Sequence, residues 1–94
     1  MDLKIEEMQF KFADNLVKEI TIEISVRSQD DQRVKGLGRY KVVVNLEKSE
    51  TYVIVGYREE IDSRVLQKLA EFTKNIVSRI KEIIEASLLK YALE

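Results

Sequence analysis

Cysteine and histidine are both missing from this 94-residue sequence. Without cysteine there can be no disulfide framework, no thiolate nucleophile and no cysteine-ligated zinc. Without histidine the chain also lacks the commonest metal ligand and the usual general base at neutral pH. No serine lies in a nucleophile-elbow motif. We therefore expect a protein that is not an enzyme and that binds no cofactor and no metal.

Long apolar runs and an excess of one charge are also absent. No stretch approaches the ~18 consecutive apolar residues of a transmembrane helix, and the acidic segment MDLKIEEMQF has no apolar signal core. The 16 basic and 17 acidic residues leave a formal net charge of -1, so no overall field attracts nucleic acid or an anionic membrane. The sequence predicts a cytoplasmic protein with no membrane partner, in a single domain of residues 1–94.

Glycine is scarce, since Gly36, Gly38 and Gly56 are the only three. The segment VKGLGRYKVVV could suggest a phosphate-binding loop, but the GxxxxGKS/T and GxGxxG patterns are both absent. Another apolar strand pattern also follows the glycines, where a phosphate loop requires a helix. All three glycines have the even parity of the predicted core face. We expect them to remove side chains beneath a covering helix, so that the sheet can curl around it.

A period of two runs through the chain from its start to about residue 57. Even positions from 16 to 26 are mainly apolar and odd positions mainly polar, which is typical of a half-buried antiparallel strand. Similar patterns over residues 3–12, 34–46 and 51–57 predict three more strands joined by short polar turns. In the last hairpin, a turn over residues 47–50 would put Leu46 opposite Tyr52 and Val42 opposite Gly56.

A bulge is expected in the first strand. Leu3 and Ile5 occupy odd positions, whereas the later apolar residues Met8, Phe10 and Phe12 occupy even ones. One extra residue near positions 6 and 7 would bring both sets to the same face of the sheet.

Residues 62–91 carry apolar side chains at helical spacing, with neither glycine nor proline among them. The predicted inward stripe consists of Val65, Leu66, Leu69, Phe72, Ile76, Ile80, Ile83 and Ile84. Asp62 is a suitable N-cap, because its side chain can accept from the first exposed amides. The sequence thus predicts an α+β fold: a four-stranded antiparallel meander of order 1-2-3-4 over residues 3–57, with one long C-terminal helix packed across one face.

The last two predicted strands also have apolar side chains on the face away from the helix. Five odd-numbered residues would form this patch: Leu37, Val43, Val53, Val55 and Tyr57. An uncovered apolar patch usually marks a partner surface, although scattered valines also occur on ordinary surfaces. We expect this sheet face, or a strand edge, to join copies of the chain. The predicted function is a non-enzymatic binding or assembly module that acts as a homodimer or a larger homo-oligomer.

Two other functions stay open. The apolar strands could bind an extended polypeptide in a chaperone-like way, with a protein or peptide as the partner. Alternatively, single-stranded nucleic acid could bind by charge and stacking to a row of four basic residues: Arg33, Lys35, Arg39 and Lys41. Glu19 and Glu23 are expected beside this row, so we prefer to interpret it as a solvated, salt-bridged face.

Overall fold

The computed structural model describes residues 1–29, 33–47, 51–55 and 61–93, with side chains described for residues 1–29, 33–47, 52, 54 and 61–83. The elements in chain order are β1 (Asp2–Ala13), β2 (Leu16–Arg27), β3 (Gly38–Asn45), β4 (Thr51–Val55) and α1 (Ser63–Leu93). β1 pairs with β2, and β2 with β3, both antiparallel. The short β4 is antiparallel to β3. The predicted α+β fold, an antiparallel sheet with a C-terminal helix, is confirmed. Gly56 and Tyr57 of the predicted fourth strand lie outside the described residues.

A two-residue turn joins β1 to β2. Asp14 and Asn15 both have positive φ angles, 54° and 65°, as the central residues of a type I′ hairpin do. Asp and Asn enter this region of backbone space more readily than most residues. The tight turn lets two strands of 12 residues pair along nearly their whole length.

The β1–β2 ladder contains the bulge predicted from the parity of β1. Ile5 lies opposite Ile24, and the next pair joins Glu7 to Glu23, so Glu6 is an extra residue in β1. One inserted residue reverses the alternation of side chains between the two faces. The apolar residues before and after the bulge therefore share the inward face, and the prediction is confirmed.

A second register shift falls in β2, where no bulge was predicted. Phe12 lies opposite Val17 instead of Lys18. Val17 packs against the core, whereas Leu16 is exposed. The expected row of inward even positions is therefore wrong at Leu16 and Lys18, because the extra residue reverses the alternation there.

The core lies between the even positions of the two middle strands and one stripe of α1. Seven sheet residues are buried in it: Ile20, Ile22, Ile24, Val26, Tyr40, Val42 and Val44. Val65, Leu69 and Val77 of α1 belong to the same cluster. The predicted inward parity of β2 and β3 is thus confirmed over these positions. Fully burying one such aliphatic side chain stabilises the fold by about 1.5–3 kcal/mol, so this layer is the main source of stability.

The helix stripe differs from the prediction at its C-terminal end. Ile76 and Ile80 are half-buried against the core, but 66% of the surface of Ile83 is exposed. Ile83 follows Val65 by 18 residues, which is about five full helical turns. The two side chains therefore point in the same direction. Ile83 is exposed because the sheet no longer covers α1 at that point. Ile84 lies outside the described side chains.

Gly36 lies at the junction between the sheet and the helix, where it allows the two to come close. It does not let the sheet curl beneath the helix, contrary to our prediction. It lies in the turn before β3, with a φ of 98°. A Cβ atom added to Gly36 would lie 2.6 Å from Cγ1 of Ile61, just before α1. The hydroxyl of Tyr40 donates a hydrogen bond to the Gly36 carbonyl. β3 consequently starts at Gly38, four residues later than predicted, because residues 34–37 form this junction.

Asp62 is the N-cap of α1, as predicted. Its Oδ1 accepts a hydrogen bond of 2.8 Å from the backbone amide of Arg64, and the Arg64 guanidinium lies 2.9 Å from its Oδ2. These hydrogen bonds from Arg64 lower the pKa of Asp62 from 3.8 to about 2. Because the pKa is lowered, the cap contributes its full stability above the ordinary pKa and loses it as the pH falls toward about 2.

The register of the β3–β4 hairpin differs by two residues from the prediction. Val44, and not Leu46, lies opposite Tyr52. Asn45 Oδ1 accepts a hydrogen bond of 2.9 Å from the Glu47 amide, a local turn that ends strand pairing at Asn45. The Leu46 amide instead donates to the Lys18 carbonyl on the other side, at 2.9 Å. The predicted pairing failed because β3 leaves the ladder at Asn45, one residue before Leu46.

Candidate interaction surface

β1 is an edge strand of the sheet. Within the described residues it pairs only with β2. It has 12 residues, compared with 8 in β3 and 5 in β4. An edge strand presents backbone N–H and C=O groups that point away from its neighbour and are open to another strand. Among the described strands, β1 is therefore the longest at which a further strand can be added.

The helix-side face of β1 carries exposed aromatic rings. Phe10 lies opposite Ile20, and Met8 opposite Ile22; side chains directly opposite one another share a face of the sheet. Both isoleucines are fully buried under α1. Nevertheless, 42% of the surface of Phe10 and 63% of the surface of Phe12 are exposed.

The width of a helix explains why these rings are uncovered. A helix with its side chains is about 10–12 Å across, whereas neighbouring strands are about 4.8 Å apart. One helix can therefore cover roughly two or three strands. α1 forms its core cluster mainly with β2 and β3, so Phe10 and Phe12 lie at the margin of the covered area.

The opposite face of β1 carries charged and polar residues over the same stretch. Glu7, Gln9 and Lys11 are exposed, and Gln9 Nε2 donates a 3.0 Å hydrogen bond to Glu7 Oε1. We define the β1 rim as the free backbone edge of β1 together with these three residues on one face and Met8, Phe10 and Phe12 on the other.

Polar contacts of the Glu6 carboxylate on the outer face hold the bulge of β1 in place. The Ser25 hydroxyl donates a 2.7 Å hydrogen bond to Glu6 Oε1, and Arg39 Nη2 lies 3.6 Å from Glu6 Oε2. The Ser25 hydrogen bond, and to a smaller extent nearby cations such as Lys4 and Arg39, lower the pKa of Glu6. The side chain of Glu6 therefore extends over β2 and away from the free edge.

The apolar patch predicted on the outer face is described only in part. Leu37 is half-buried and packs against the core cluster. Val43 is half-buried, and its register partner is Val53. The side chains of Val53 and Val55, and the whole of Tyr57, lie outside the described set. The predicted patch stays a prediction, whereas the β1 rim consists of described side chains.

The four predicted basic residues lie in one part of the chain, with acidic residues among them. Arg33, Lys35, Arg39 and Lys41 are all exposed. Lys41 lies directly opposite Glu23 in β2, and Arg39 is paired with Glu6 as described above. An uninterrupted basic stripe of the kind that follows a nucleic-acid backbone is therefore not formed at Arg39 and Lys41.

Sequence reasoning missed the exposure of the β1 aromatics, although it assigned Met8, Phe10 and Phe12 to one face. Comparing the width of one helix with the width of four strands would have revealed it.

In the described part of the chain, no three acidic side chains come close enough to hold a metal ion. Over its described residues, α1 contains no stretch that is both long and apolar enough to cross a lipid bilayer.

Comparison of the chain with protein-family models, with curated proteins and with solved structures finds no match in any of the three. The function is therefore argued from the β1 rim and the residues around it.

Proposed function

We propose that this protein is a non-enzymatic assembly module that acts as a homodimer, joined through the β1 rim. The observation that carries the proposal is the exposure of Phe10 and Phe12 on a 12-residue edge strand. Adding a strand to this edge would satisfy backbone groups and bury aromatic surface in one step. A second copy of the chain offers both features at once.

The proposal takes the sheet as a four-stranded meander in which Thr51–Val55 forms the edge opposite β1. The longer β1 edge offers more main-chain hydrogen bonds than a five-residue edge does. A larger homo-oligomer would require the second edge as well, or the outer-face patch that includes Val43 and Val53. The homodimer through β1 requires only described residues.

The expected affinity is modest. Each rim offers two partly exposed phenylalanine rings and the backbone groups of one strand edge. Interfaces of small area are usually weak and transient, so we expect the dimer to form over the micromolar concentration range.

Light scattering after size-exclusion chromatography tests the homodimer. From low to high micromolar concentration, the protein should change from the monomer mass to the dimer mass. The double variant Phe10→Ser/Phe12→Ser should stay monomeric, because it lacks the exposed rings of the β1 rim. Leu16→Ser is the matched control, since it removes an exposed apolar residue of β2 that lies outside the rim. A wild-type protein that stays monomeric at every concentration would refute the proposal.

Chaperone-like binding of an extended polypeptide is the second candidate, and the same β1 rim favours it. An unfolded segment could add to the β1 edge as a strand and cover Phe10 and Phe12 with its own apolar side chains. Fluorescence anisotropy with a labelled, permanently unfolded polypeptide distinguishes the two candidates. If the rim forms the homodimer, the polypeptide competes with a second copy of the chain for the rim, and this competition appears only at protein concentrations near the dissociation constant of the dimer. If the monomer instead binds the polypeptide at lower concentrations, and Phe10→Ser/Phe12→Ser abolishes this binding, the chaperone-like function is supported.

A further inference from the structure

Two copies of β1 are complementary in one antiparallel register, and we propose that this register, with Gln9 of each chain on the two-fold axis, forms the dimer interface. The register rests on the homodimer proposed above and specifies which residues of the β1 rim meet. In it, Glu7 lies opposite the partner's Lys11, and Lys11 lies opposite the partner's Glu7. On the helix side, Met8 lies opposite the partner's Phe10. Two-fold symmetry makes each of these pairs occur twice.

The bulge at Glu6 limits where another strand can pair with β1. Its extra residue lies in β1 itself, whereas the second extra residue, Lys18, lies in β2. The backbone of β1 is therefore regular from Glu7 to its end at Ala13. An added strand pairs best with a regular segment, because a bulge disrupts the local ladder. The Gln9 register pairs residues Glu7 to Lys11 of both chains, which lie within this segment.

Glu7 has no cation opposite it within its own chain, whereas Lys11 lies opposite Glu19 of β2. Glu7 lies directly opposite Glu23 of its own β2, and like charges in this position are destabilising. Neither Glu7 nor Lys11 forms an ion pair with another described residue. In the dimer, the partner's Lys11 would lie on the free side of Glu7 and supply the missing cation.

A competing register centred on Phe10 fits less well. It would stack the two Phe10 side chains at the axis, which is favourable for aromatic rings. However, it would place Glu7 opposite the partner's Ala13 and Lys11 opposite the partner's Gln9. Glu7 would then keep its like-charged neighbour Glu23 without gaining a cation, so the Gln9 register is preferred.

Charge reversal tests the register. Glu7→Lys creates two Lys–Lys contacts in a homodimer, and Lys11→Glu creates two Glu–Glu contacts. Each single variant should weaken dimerisation by roughly tenfold, because the attraction within an exposed cross-strand pair becomes a repulsion at two places in the interface. Mixing the two variants should give a heterodimer of restored affinity, since all charges are then complementary. The double variant Glu7→Lys/Lys11→Glu should restore the homodimer.

The folding of the variants separates a register effect from simple loss of structure. Glu7→Lys places a lysine opposite Glu23 within the same chain, so the urea midpoint of the monomer should be unchanged or higher while the dimer weakens. Lys74→Glu, on the exposed face of α1, is the control for charge reversal away from the rim. A wild-type dimer that both single variants leave unchanged would overturn the register but not the homodimer. A monomeric wild type would remove both.

Cross-linking tests whether the two-fold interface runs along β1. The chain has no cysteine of its own, so each variant carries a single thiol. Gln9→Cys should be joined efficiently into covalent dimers by a short bifunctional maleimide at concentrations where the protein dimerises. Lys74→Cys should not, because that residue lies on the solvent face of α1. Equal cross-linking of the two variants would contradict an interface along β1.

Discussion

Thr73 lies in the buried stripe of α1, between Leu69 and Val77, with 1% of its surface exposed. Its Oγ1 has no hydrogen-bond partner among the described residues. A buried hydroxyl without a partner keeps the full cost of its removal from water, about 1–3 kcal/mol. The free energy of unfolding is therefore lower than it would be with an apolar side chain at position 73.

Replacing Thr73 with valine should raise the free energy of unfolding by about 1 kcal/mol, because the change removes the unpaired hydroxyl and keeps the branched shape. Urea denaturation followed by circular dichroism measures the difference. Thr73→Ser is the control, since it keeps the hydroxyl and loses a buried methyl group. Thr73→Ser should lower stability. If Thr73→Val is less stable than wild type, the hydroxyl has a partner in solution.

At the scale of the elements, α1 combines a covered part with a part that runs past the sheet. Leu69 is fully buried, whereas Ile83 is mostly exposed, although both side chains point toward the sheet side of the helix. The difference arises from position along the helix axis. Two aliphatic side chains of equal size on one helix therefore have very different roles in folding.

Leu69→Ala should lower the free energy of unfolding by about 2–5 kcal/mol, because it leaves a cavity between α1 and the sheet. Ile83→Ala should change it by less than about 0.5 kcal/mol, as expected for an exposed site. Chemical denaturation of both variants at one low protein concentration gives the comparison. A large loss of stability in Ile83→Ala would show that Ile83 is covered in solution, by a partner or by another part of the chain.

At the scale of the whole molecule, the width of the sheet exceeds that of its single covering helix. The chain folds with extents of 54 × 22 × 19 Å, and the aromatic residues of β1 remain at its margin. A chain of this size has thin stability as a monomer. Association that covers the β1 rim would therefore add a substantial fraction to the stability of the fold.

The thermal midpoint should consequently rise with protein concentration, since dimerisation stabilises the folded state by mass action. Calorimetry over a concentration range of about a hundredfold measures the shift, which monomeric two-state unfolding does not produce. The midpoint of Phe10→Ser/Phe12→Ser should be independent of concentration, and that of Leu16→Ser should keep its dependence. A constant wild-type midpoint would contradict association through the rim.

Local patterns were sufficient to predict much of this architecture. The parity change between Ile5 and Met8 predicted the bulge at Glu6, and Asp62 was identified as the cap of α1. These features depend on a few neighbouring residues, whose backbone and side-chain preferences act at short range. The bulge at Lys18 left a similar signal, since Val17 is apolar at an odd position and Lys18 is charged at an even one. It was not predicted, because the apolar side chain of Leu16 let the even-numbered pattern extend to the start of β2.

The sequence by itself determined the strands, the inward parity of the middle of the sheet and the helix with its cap, because periodicity and capping are local properties. Only the tertiary structure decided which inward side chains are covered. Phe10 and Ile20 have the same parity and lie opposite one another, yet Ile20 is buried and Phe10 is exposed. The physical reason is geometric: a helix is narrower than the sheet beneath it. Its placement over β2 and β3 leaves the apolar side chains of β1 open to a partner.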